Sequence, residues 1–309
     1  MMLSNVIELV DTNSSEVNRA LSKLPNSSES GGLVFTLIIV CTISSYESAL
    51  EAALQAAYEH PSRIVVAVCD DTETHRFDAR VGTTEDMPGA IIVLHLAGEV
   101  SEHADSVIVP LLLPDLPAVV WWPSEAPPHP AADRIGKLVT RRITDIWLYD
   151  APLTRLLELA NSHLPGGTDL SWTRITRWRA ILADALDQVQ LPVLRAEVAT
   201  HADSVPAELL ASWLQSTLNC PVKAVIGTDA GLIKITLMTD AGNIVLTHRG
   251  DNTGELQVPG QPDSNVVLPL RTPNQLLSEE LRNLDSDPIF DEVMETVLTR
   301  GTRGNRGAY

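Results

Sequence analysis

Apolar and polar residues follow one pattern in the first half of this chain. Continuous apolar runs such as 33–43 and 62–70 alternate with segments such as 49–57, whose apolar residues recur at helical spacing. A β-branched apolar run bounded by turn residues is typical of a strand that is covered on both faces. The pattern predicts an α/β N-terminal domain, with a mostly parallel sheet and flanking helices.

Residues 33–70 read as a strand–helix–strand unit. Ser44 and Glu47 have the spacing of a capping box, which predicts a helix from there to about Glu59. Two parallel strands need such a crossover, and it is right-handed as a rule. Helices are also predicted for 101–113 and 133–142, with a short strand at 118–122 between them.

The second half of the chain has a different pattern, in which successive strands are flanked by helices. Pro165-Gly166-Gly167 is the strongest boundary signal, so we expect domains at 1–165 and 166–300, and a disordered basic tail at 301–309. Asp240-Ala241-Gly242 joins two apolar runs and predicts a β-hairpin. This half therefore reads as an α+β C-terminal domain with an antiparallel meander.

Charge and composition exclude several classes of function. The 309 residues carry a net charge of −18, which argues against binding to nucleic acid or to an anionic membrane surface. The N-terminus has no signal-peptide pattern, and run 33–43 is shorter than the roughly 20 residues that span a bilayer. We expect a soluble, cytoplasmic protein. Cys41, Cys69 and Cys220 form no paired spacing, which predicts buried reduced thiols and no metal.

The motifs of the common nucleotide-binding and hydrolytic enzymes are missing. Neither GxxxxGK[ST], GxGxxG nor GxSxG occurs, and the first long strand ends in Thr42-Ile43-Ser44-Ser45, without the glycines that bring backbone close to a pyrophosphate. Carboxylates are abundant, but no pair of them stands out. The sequence therefore predicts no catalytic residues and no cofactor.

Two adjacent tryptophans, Trp121 and Trp122, are the most unusual feature of the first half. Neighbouring side chains on a strand point to opposite faces, so we expect that packing alone has difficulty burying both. The proline-rich loop that follows is stiff, which favours recognition of a partner. Contact between the two domains, protein binding and carbohydrate stacking all remain open for this pair.

A second cluster contains Trp172, Arg174, Arg177, Trp178 and Arg179. Trp178 lies in an apolar stripe at helical spacing, which predicts a core position. Three arginines in six residues are unusual in so acidic a chain. Ion pairs with the acidic surface and binding of a ligand or partner are both open for them.

These two clusters carry a resemblance to a known family. The segments PLLLPDLPAVVWWP (110–123) and DLSWTRITRWRAILA (169–183) resemble the OpcA family, the glucose-6-phosphate dehydrogenase assembly proteins of actinobacteria and cyanobacteria. EHPSRIVV (59–66) and HADSVIVP (103–110) support it, and the resemblance covers nearly the whole chain. The family pattern often has cysteine after His-Pro, where this chain has Ser62, so a thiol switch is not available there.

The resemblance implies a non-catalytic assembly factor and allosteric activator. Such a protein binds glucose-6-phosphate dehydrogenase and promotes its active oligomer at the entry of the oxidative pentose phosphate pathway, which supplies NADPH. From side-chain chemistry we expect these residues to bind the partner: Asp115, Trp121, Trp122, Trp172, Arg174, Arg177 and Arg179.

Two other functions remain open. One is a sugar-phosphate sensor or enzyme that uses an interdomain cleft lined by Arg174, Arg177 and Trp122. The other is a scaffold that links the dehydrogenase to further enzymes of the pathway.

Overall fold

A computed structural model describes residues 4–24, 32–72, 74–84, 89–147, 149–200, 203–226 and 234–304. The chain divides into two compact units. The first unit comprises Met1–Asp145, Gly166–Thr168 and Pro273–Ser286, and the second comprises Ile146–Pro165, Asp169–Thr272 and Asp287–Tyr309. Each unit therefore includes segments from both sides of the boundary signal at Pro165-Gly166-Gly167.

The strands of both units follow in chain order. They are β1 (Ser4–Leu9), β2 (Phe35–Cys41), β3 (Ser62–Asp70), β4 (Arg76–Thr83), β5 (Ile91–Ala97), β6 (Ala118–Trp122), β7 (Arg141–Thr144), β8 (Gly167–Asp169), β9 (Arg195–Thr200), β10 (Val222–Ile226), β11 (Lys234–Thr239), β12 (Gly242–His248), β13 (Thr253–Gln257) and β14 (Ser264–Val267).

Ten α-helices are present in the described residues. They are α1 (Ser14–Leu21), α2 (Ile43–Glu59), α3 (Glu99–Glu102), α4 (Ala104–Ile108), α5 (Pro152–Asn161), α6 (Leu170–Arg174), α7 (Thr176–Val189), α8 (Val205–Leu218), α9 (Pro273–Glu280) and α10 (Pro288–Gly304).

The sheet of the first unit is mostly parallel, as the sequence predicts. Its strand order is β1-β4-β5-β3-β2-β6-β7-β8. Strands β5, β3, β2, β6 and β7 pair in parallel, while β1 and β4 add an antiparallel edge. The predicted strand–helix–strand unit is confirmed, with β2 and β3 in parallel register from Phe35 opposite Ser62 to Cys41 opposite Val68.

The paired tryptophans at the end of β6 are both buried. Trp121 is 1% exposed and Trp122 is 2% exposed. Their side chains do leave the strand on opposite faces, but β6 lies inside the sheet between β2 and β7, where both faces are covered. The expectation that packing alone has difficulty burying both is therefore wrong.

The structure also corrects three local predictions in the first unit. The capping box is wrong, because Thr42 is the N-cap of α2 and no side chain caps that helix. The helix predicted at 101–113 is divided into α3, α4 and a 3₁₀ turn at Val109–Leu111 that contains Pro110, a residue that removes a backbone donor.

The helix predicted at 133–142 is absent in the described structure. Its middle forms a 3₁₀ turn at Gly136–Leu138, and its end forms β7, where Arg141 pairs with Val119 of β6. A Cβ at Gly136 would lie 1.8 Å from the carbonyl oxygen of Pro130, so this turn requires glycine. Pairing with β6 overrides the local helical pattern.

The second unit has a mixed sheet in the order β10-β9-β11-β12-β13-β14. Only β9 and β10 pair in parallel among the described strands, and the other pairs are antiparallel. The predicted α+β class and the hairpin from β11 to β12 are confirmed, although residues 231–233 of the predicted strand lie outside the described residues. Helix α8 packs on β9, β10 and α10.

The C-terminal segment is more helical than the sequence suggested. Helix α10 continues to Gly304, so the first residues of the predicted disordered tail are helical, while 305–309 lie outside the described residues. In the described ranges, every helix is too short or too polar to traverse a lipid bilayer.

Candidate functional site

The second unit contains a pocket of about 480 Å³. This volume is within the range of about 300–1,000 Å³ that small-molecule sites occupy. Apolar side chains dominate its wall, and a few polar groups converge on it. The lining residues are Trp147, Arg174, Ile175, Trp178, Thr200, Asp203, Ser204, Val205, Pro206, His248, Leu268, Pro269, Leu270 and Arg271.

The ends of two strands supply the polar part of the pocket. Ala199 of β9 and Thr247 of β12 both pair with Lys234 of β11, so the next residues, Thr200 and His248, lie at the same edge of the sheet. Both belong to the face that points into the core, and they are 8% and 7% exposed. The alternation along each strand thus brings a hydroxyl and an imidazole to one place.

Both groups have unmet hydrogen-bonding capacity. The backbone N–H of Gly250 donates to Nδ1 of His248 at 3.2 Å, which places the proton of the neutral ring on Nε2. Neither that Nε2 nor Oγ1 of Thr200 has a partner among the described residues. A buried polar group without a partner costs about 1–3 kcal/mol, so this edge of the sheet favours a bound acceptor or donor.

Trp147 and Arg174 form the cationic side of the pocket. The guanidinium of Arg174 lies 4.6 Å from the centre of the Trp147 ring, in cation–π contact. Trp147 is 45% exposed, whereas the other five tryptophans are all buried. Arg271 adds a second cation and donates to the carbonyl oxygen of Thr173.

The N-terminus of α8 also faces the pocket. Ser204 is its N-cap and accepts a hydrogen bond from the backbone N–H of Ala207. The positive end of a helix dipole favours anions, and here it lies beside two arginines. Asp203, with a φ of +63°, is a carboxylate at the same place and offsets part of this charge.

The residues predicted around Trp172 are separated by the structure. Trp172 is buried, and its Nε1 donates to Oδ2 of Asp287 at 2.8 Å. The guanidinium of Arg179 lies 3.5 Å from the centre of the Trp172 ring. Arg177 is exposed, and its Nε donates to the carbonyl oxygen of Val267 at 3.4 Å. Of the seven residues predicted to bind a partner, Arg174 alone lines the pocket.

Trp178 is in the core of the second unit, as its spacing predicts. Its side chain is buried beside Ile175 and Leu182, and its ring centre lies 6.0 Å from that of His248. It therefore forms the aromatic wall between the core and the pocket. Asp115, the remaining predicted residue, is exposed in a turn of the first unit.

Sequence reasoning missed four residues of this site: Trp147, Thr200, His248 and Arg271. Each of the four comes from a different segment, and none has a distinctive local motif. The sequence of 143–150 predicts a single strand that would include Trp147. In the structure β7 ends at Thr144, so Trp147 follows the strand and is 45% exposed.

A second candidate site is the carboxyl edge of the first sheet, because ligands of open α/β folds bind at that edge. The chain reverses its strand order at β2, between β3 and β6, and such a switch point is the usual ligand crevice. In this chain, side-chain hydroxyl groups are in contact with one another at this edge. Thr42 Oγ1 contacts Oγ of Ser44 at 2.9 Å, and Ser45 Oγ contacts Ser124 Oγ at 3.0 Å. The absence of glycine at Thr42–Ser45 leaves side chains where a pyrophosphate would need bare backbone.

Two cysteines and one histidine of the first unit have pKa values shifted towards their neutral forms. Burial raises the pKa of the Cys41 thiol to about 12 and that of Cys69 to about 11. Burial also lowers the pKa of His95, and the charges of Arg76 and Arg80 add to this effect. In the described ranges, no three His, Cys, Asp or Glu side chains are grouped as a metal site would need.

The native thiols are expected to react slowly with a disulfide reagent such as Ellman's reagent. The thiolate is the reactive form, so raised pKa values and burial at Cys41 and Cys69 should slow the reaction at pH 8 by about a hundredfold relative to the unfolded chain. The measurement is release of the reagent's thiolate with and without urea. A Cys220→Ser variant isolates the two thiols, and fast release from that folded variant would contradict the prediction.

Solved structures similar to this chain are distant. A 3-ketoreductase, KijD10, from Actinomadura kijaniata has 11% identity and a TM-score of 0.48, covering 85% of this chain and 94% of that one. A dehydrogenase, MviM, from Clostridium difficile has 9% identity and a TM-score of 0.46, covering 88% and 99%. At these values the likeness supports no inference about cofactor or reaction.

Sequence comparisons are more informative. A putative OxPP cycle protein OpcA from Synechocystis sp. (strain PCC 6803) is 31% identical over 101 residues, which are 31% of this chain and 21% of that protein. The chain thus matches about a fifth of that relative's length.

Two family profiles match consecutive parts of the chain. The one described as the glucose-6-phosphate dehydrogenase subunit N-terminal domain matches 53–161, and the one described as its C-terminal domain matches 165–294. Together they cover most of the sequence, and they agree with the segments 110–123 and 169–183 that carry the resemblance. The chain belongs to the OpcA family of glucose-6-phosphate dehydrogenase assembly proteins.

Proposed function

We propose that this chain is a non-catalytic assembly factor and allosteric activator of glucose-6-phosphate dehydrogenase. The observation that supports it most is the match of both family domains, over 53–161 and 165–294. At the carboxyl edge of the first sheet, Thr42–Ser45 carry side chains where a pyrophosphate would need bare backbone. In this proposal the protein acts in the cytoplasm and increases the supply of NADPH.

Activation requires a difference in binding. An effector shifts an enzyme towards its active oligomer only by binding that state more tightly than the alternative. A coupling of about 1–3 kcal/mol, or about 5- to 150-fold, is typical. The binding surface must therefore contain residues that become buried only in the complex with the active oligomer of the dehydrogenase.

The rim of the pocket in the second unit is the surface that fits this role best. Trp147 and Leu270 are 45% and 73% exposed, and both line the rim together with Arg174. Tryptophan and arginine are enriched among residues that dominate protein interfaces, while charge helps to select the partner. Arg177, exposed beside Val267, extends the same arginine-rich segment.

The predicted partner residues have unequal parts in this proposal. Arg174 and Arg177 contact the dehydrogenase directly. Trp121, Trp122 and Trp172 are buried, so they support the two units from inside, and Arg179 acts through its stacking on Trp172. Asp115 remains a candidate on the first unit.

Kinetics of purified glucose-6-phosphate dehydrogenase, with and without this chain, test the proposal. We expect a rise in activity together with a shift of the dehydrogenase to a larger species in light scattering, because both follow from stabilising one oligomer. The chain alone should reduce no NADP in the presence of glucose 6-phosphate.

Two results would refute the proposal. One is unchanged activity and size in the mixture at concentrations where both proteins are folded. The other is turnover by this chain alone, which would make it an enzyme. A scaffold is distinguished by co-purification with further enzymes of the pathway and no change in dehydrogenase rate.

A further inference from the structure

We propose that the pocket between Trp147, Arg174 and His248 binds a small ring compound that carries a phosphate or carboxylate group. This inference concerns the isolated chain and does not rest on binding to the dehydrogenase. It is carried by the pocket volume of about 480 Å³, by the charges of the described lining residues and by two buried polar groups that lack partners within the described part of the chain.

The wall of the pocket suits a ring. Trp178 forms an aromatic surface on the inside, and Trp147 forms another at the mouth. Ile175, Val205 and Leu268 complete an apolar lining between them. Tryptophan surfaces stack with aromatic rings and with the apolar faces of sugars, so a flat body of either kind fits.

The charges of the pocket suit an anion. Arg174 and Arg271 lie on the wall, and the N-terminus of α8 points its positive end towards the same space. Asp203 is the one carboxylate among the described lining residues, so the cations prevail among them. This sign is opposite to that of the whole chain, whose net charge is −18. A local positive site in an acidic protein concentrates small anions.

The buried polar groups point to an oxygen on the ligand. The Nε2 proton of His248 requires an acceptor, and Oγ1 of Thr200 can donate or accept. Both atoms lack partners in the described part of the chain, although their side chains are more than nine-tenths buried. A phosphate, carboxylate or hydroxyl oxygen between the two strand ends would remove the cost of leaving them unpaired.

Calorimetric titration of the isolated full chain tests the inference. Phenyl phosphate and benzoate combine an aromatic ring with an anionic group, and glucose 6-phosphate combines a sugar ring with one. Inorganic phosphate and phenol are the controls, because the first has only the anionic group and the second only the ring. We expect at least one of the three combined probes to bind about tenfold more tightly than phosphate or phenol, since ring and charge contribute together. The best probe identifies the ring and the anionic group.

Matched variants localise the binding. Arg174→Gln should weaken the best probe about tenfold, whereas Arg177→Gln, which removes the same charge outside this pocket, should leave it unchanged. His248→Phe removes the buried donor and should weaken the same probe. Trp147→Ala provides a second variant at a position that is 45% exposed, where we expect the chain to stay folded, and it should weaken the ring-bearing probes only.

The inference is overturned if all three combined probes fail to bind at millimolar concentration, or if Arg174→Gln and Arg177→Gln weaken binding equally. Neither result affects the proposed activation, which is measured with the dehydrogenase and without the probes. Conversely, if the chain binds a probe but does not activate the dehydrogenase, the inference about this pocket stands and the proposed function fails.

Discussion

Replacing Trp147 with alanine is expected to reduce the affinity for glucose-6-phosphate dehydrogenase about thirtyfold while the chain stays folded. An interface tryptophan that becomes fully desolvated contributes about 2 kcal/mol or more, which corresponds to that factor in Kd. Trp147 is already 45% exposed in the isolated chain, so its removal leaves no cavity in the core. Titration of dehydrogenase activity with the variant measures the change.

Two further variants make this prediction specific. Leu164→Ala removes an exposed apolar side chain that does not line the pocket, and it should activate like the natural chain. Trp121→Ala removes a fully buried side chain, so it should cost about 3–5 kcal/mol of folding stability. Full activation by Trp147→Ala would exclude the pocket rim as the binding surface. Lost activation by a Trp121→Ala chain of unchanged melting temperature would point to β6 instead.

The contrast between Trp147 and Trp121 shows where sequence reasoning stops. Strands β3 and β6 were predicted to the residue, because Pro61, Pro117 and Pro123 bound two continuous β-branched runs. Whether both faces of β6 are covered depends instead on the rest of the sheet and on segments far along the chain. Helix α9, which packs on α2 in the first unit, comes more than 200 residues after that helix.

The pocket was predictable only in part for the same reason. Arg174 and Trp178 lie four residues apart, the spacing of one helix face, and both line the pocket although Arg174 ends α6 and Trp178 belongs to α7. Thr200 and His248 meet because β9 and β12 both flank β11 in matching register, and no local pattern reports that register. Long-range pairing thus determines the polar half of the site, and local periodicity determines the other half.

Breaking the ion pair between Arg141 and Glu280 is expected to destabilise the first unit by about 3–5 kcal/mol. The two side chains are 4% and 8% exposed and are in direct contact. Arg141 also donates to the carbonyl oxygen of Asp285 at 2.8 Å. The pair joins β7 to the segment 273–286, which the chain adds to this unit after completing the second sheet. Arg141→Ala removes the cation in contact with the buried Glu280 carboxylate, and urea unfolding measures the loss.

The double variant Arg141→Met/Glu280→Leu is the matched control, because it removes both charges and keeps the space filled. It should unfold within about 1 kcal/mol of the natural chain, or at higher urea, since two apolar side chains avoid the desolvation of a buried ion pair. Hydrogen exchange locates the effect: Arg141→Ala should lower protection in β6 and β7, with β12 as the internal reference. Equal destabilisation by Arg141→Ala and by the double variant would mean that the pair itself stabilises the unit, so the cost would not arise from one uncompensated charge.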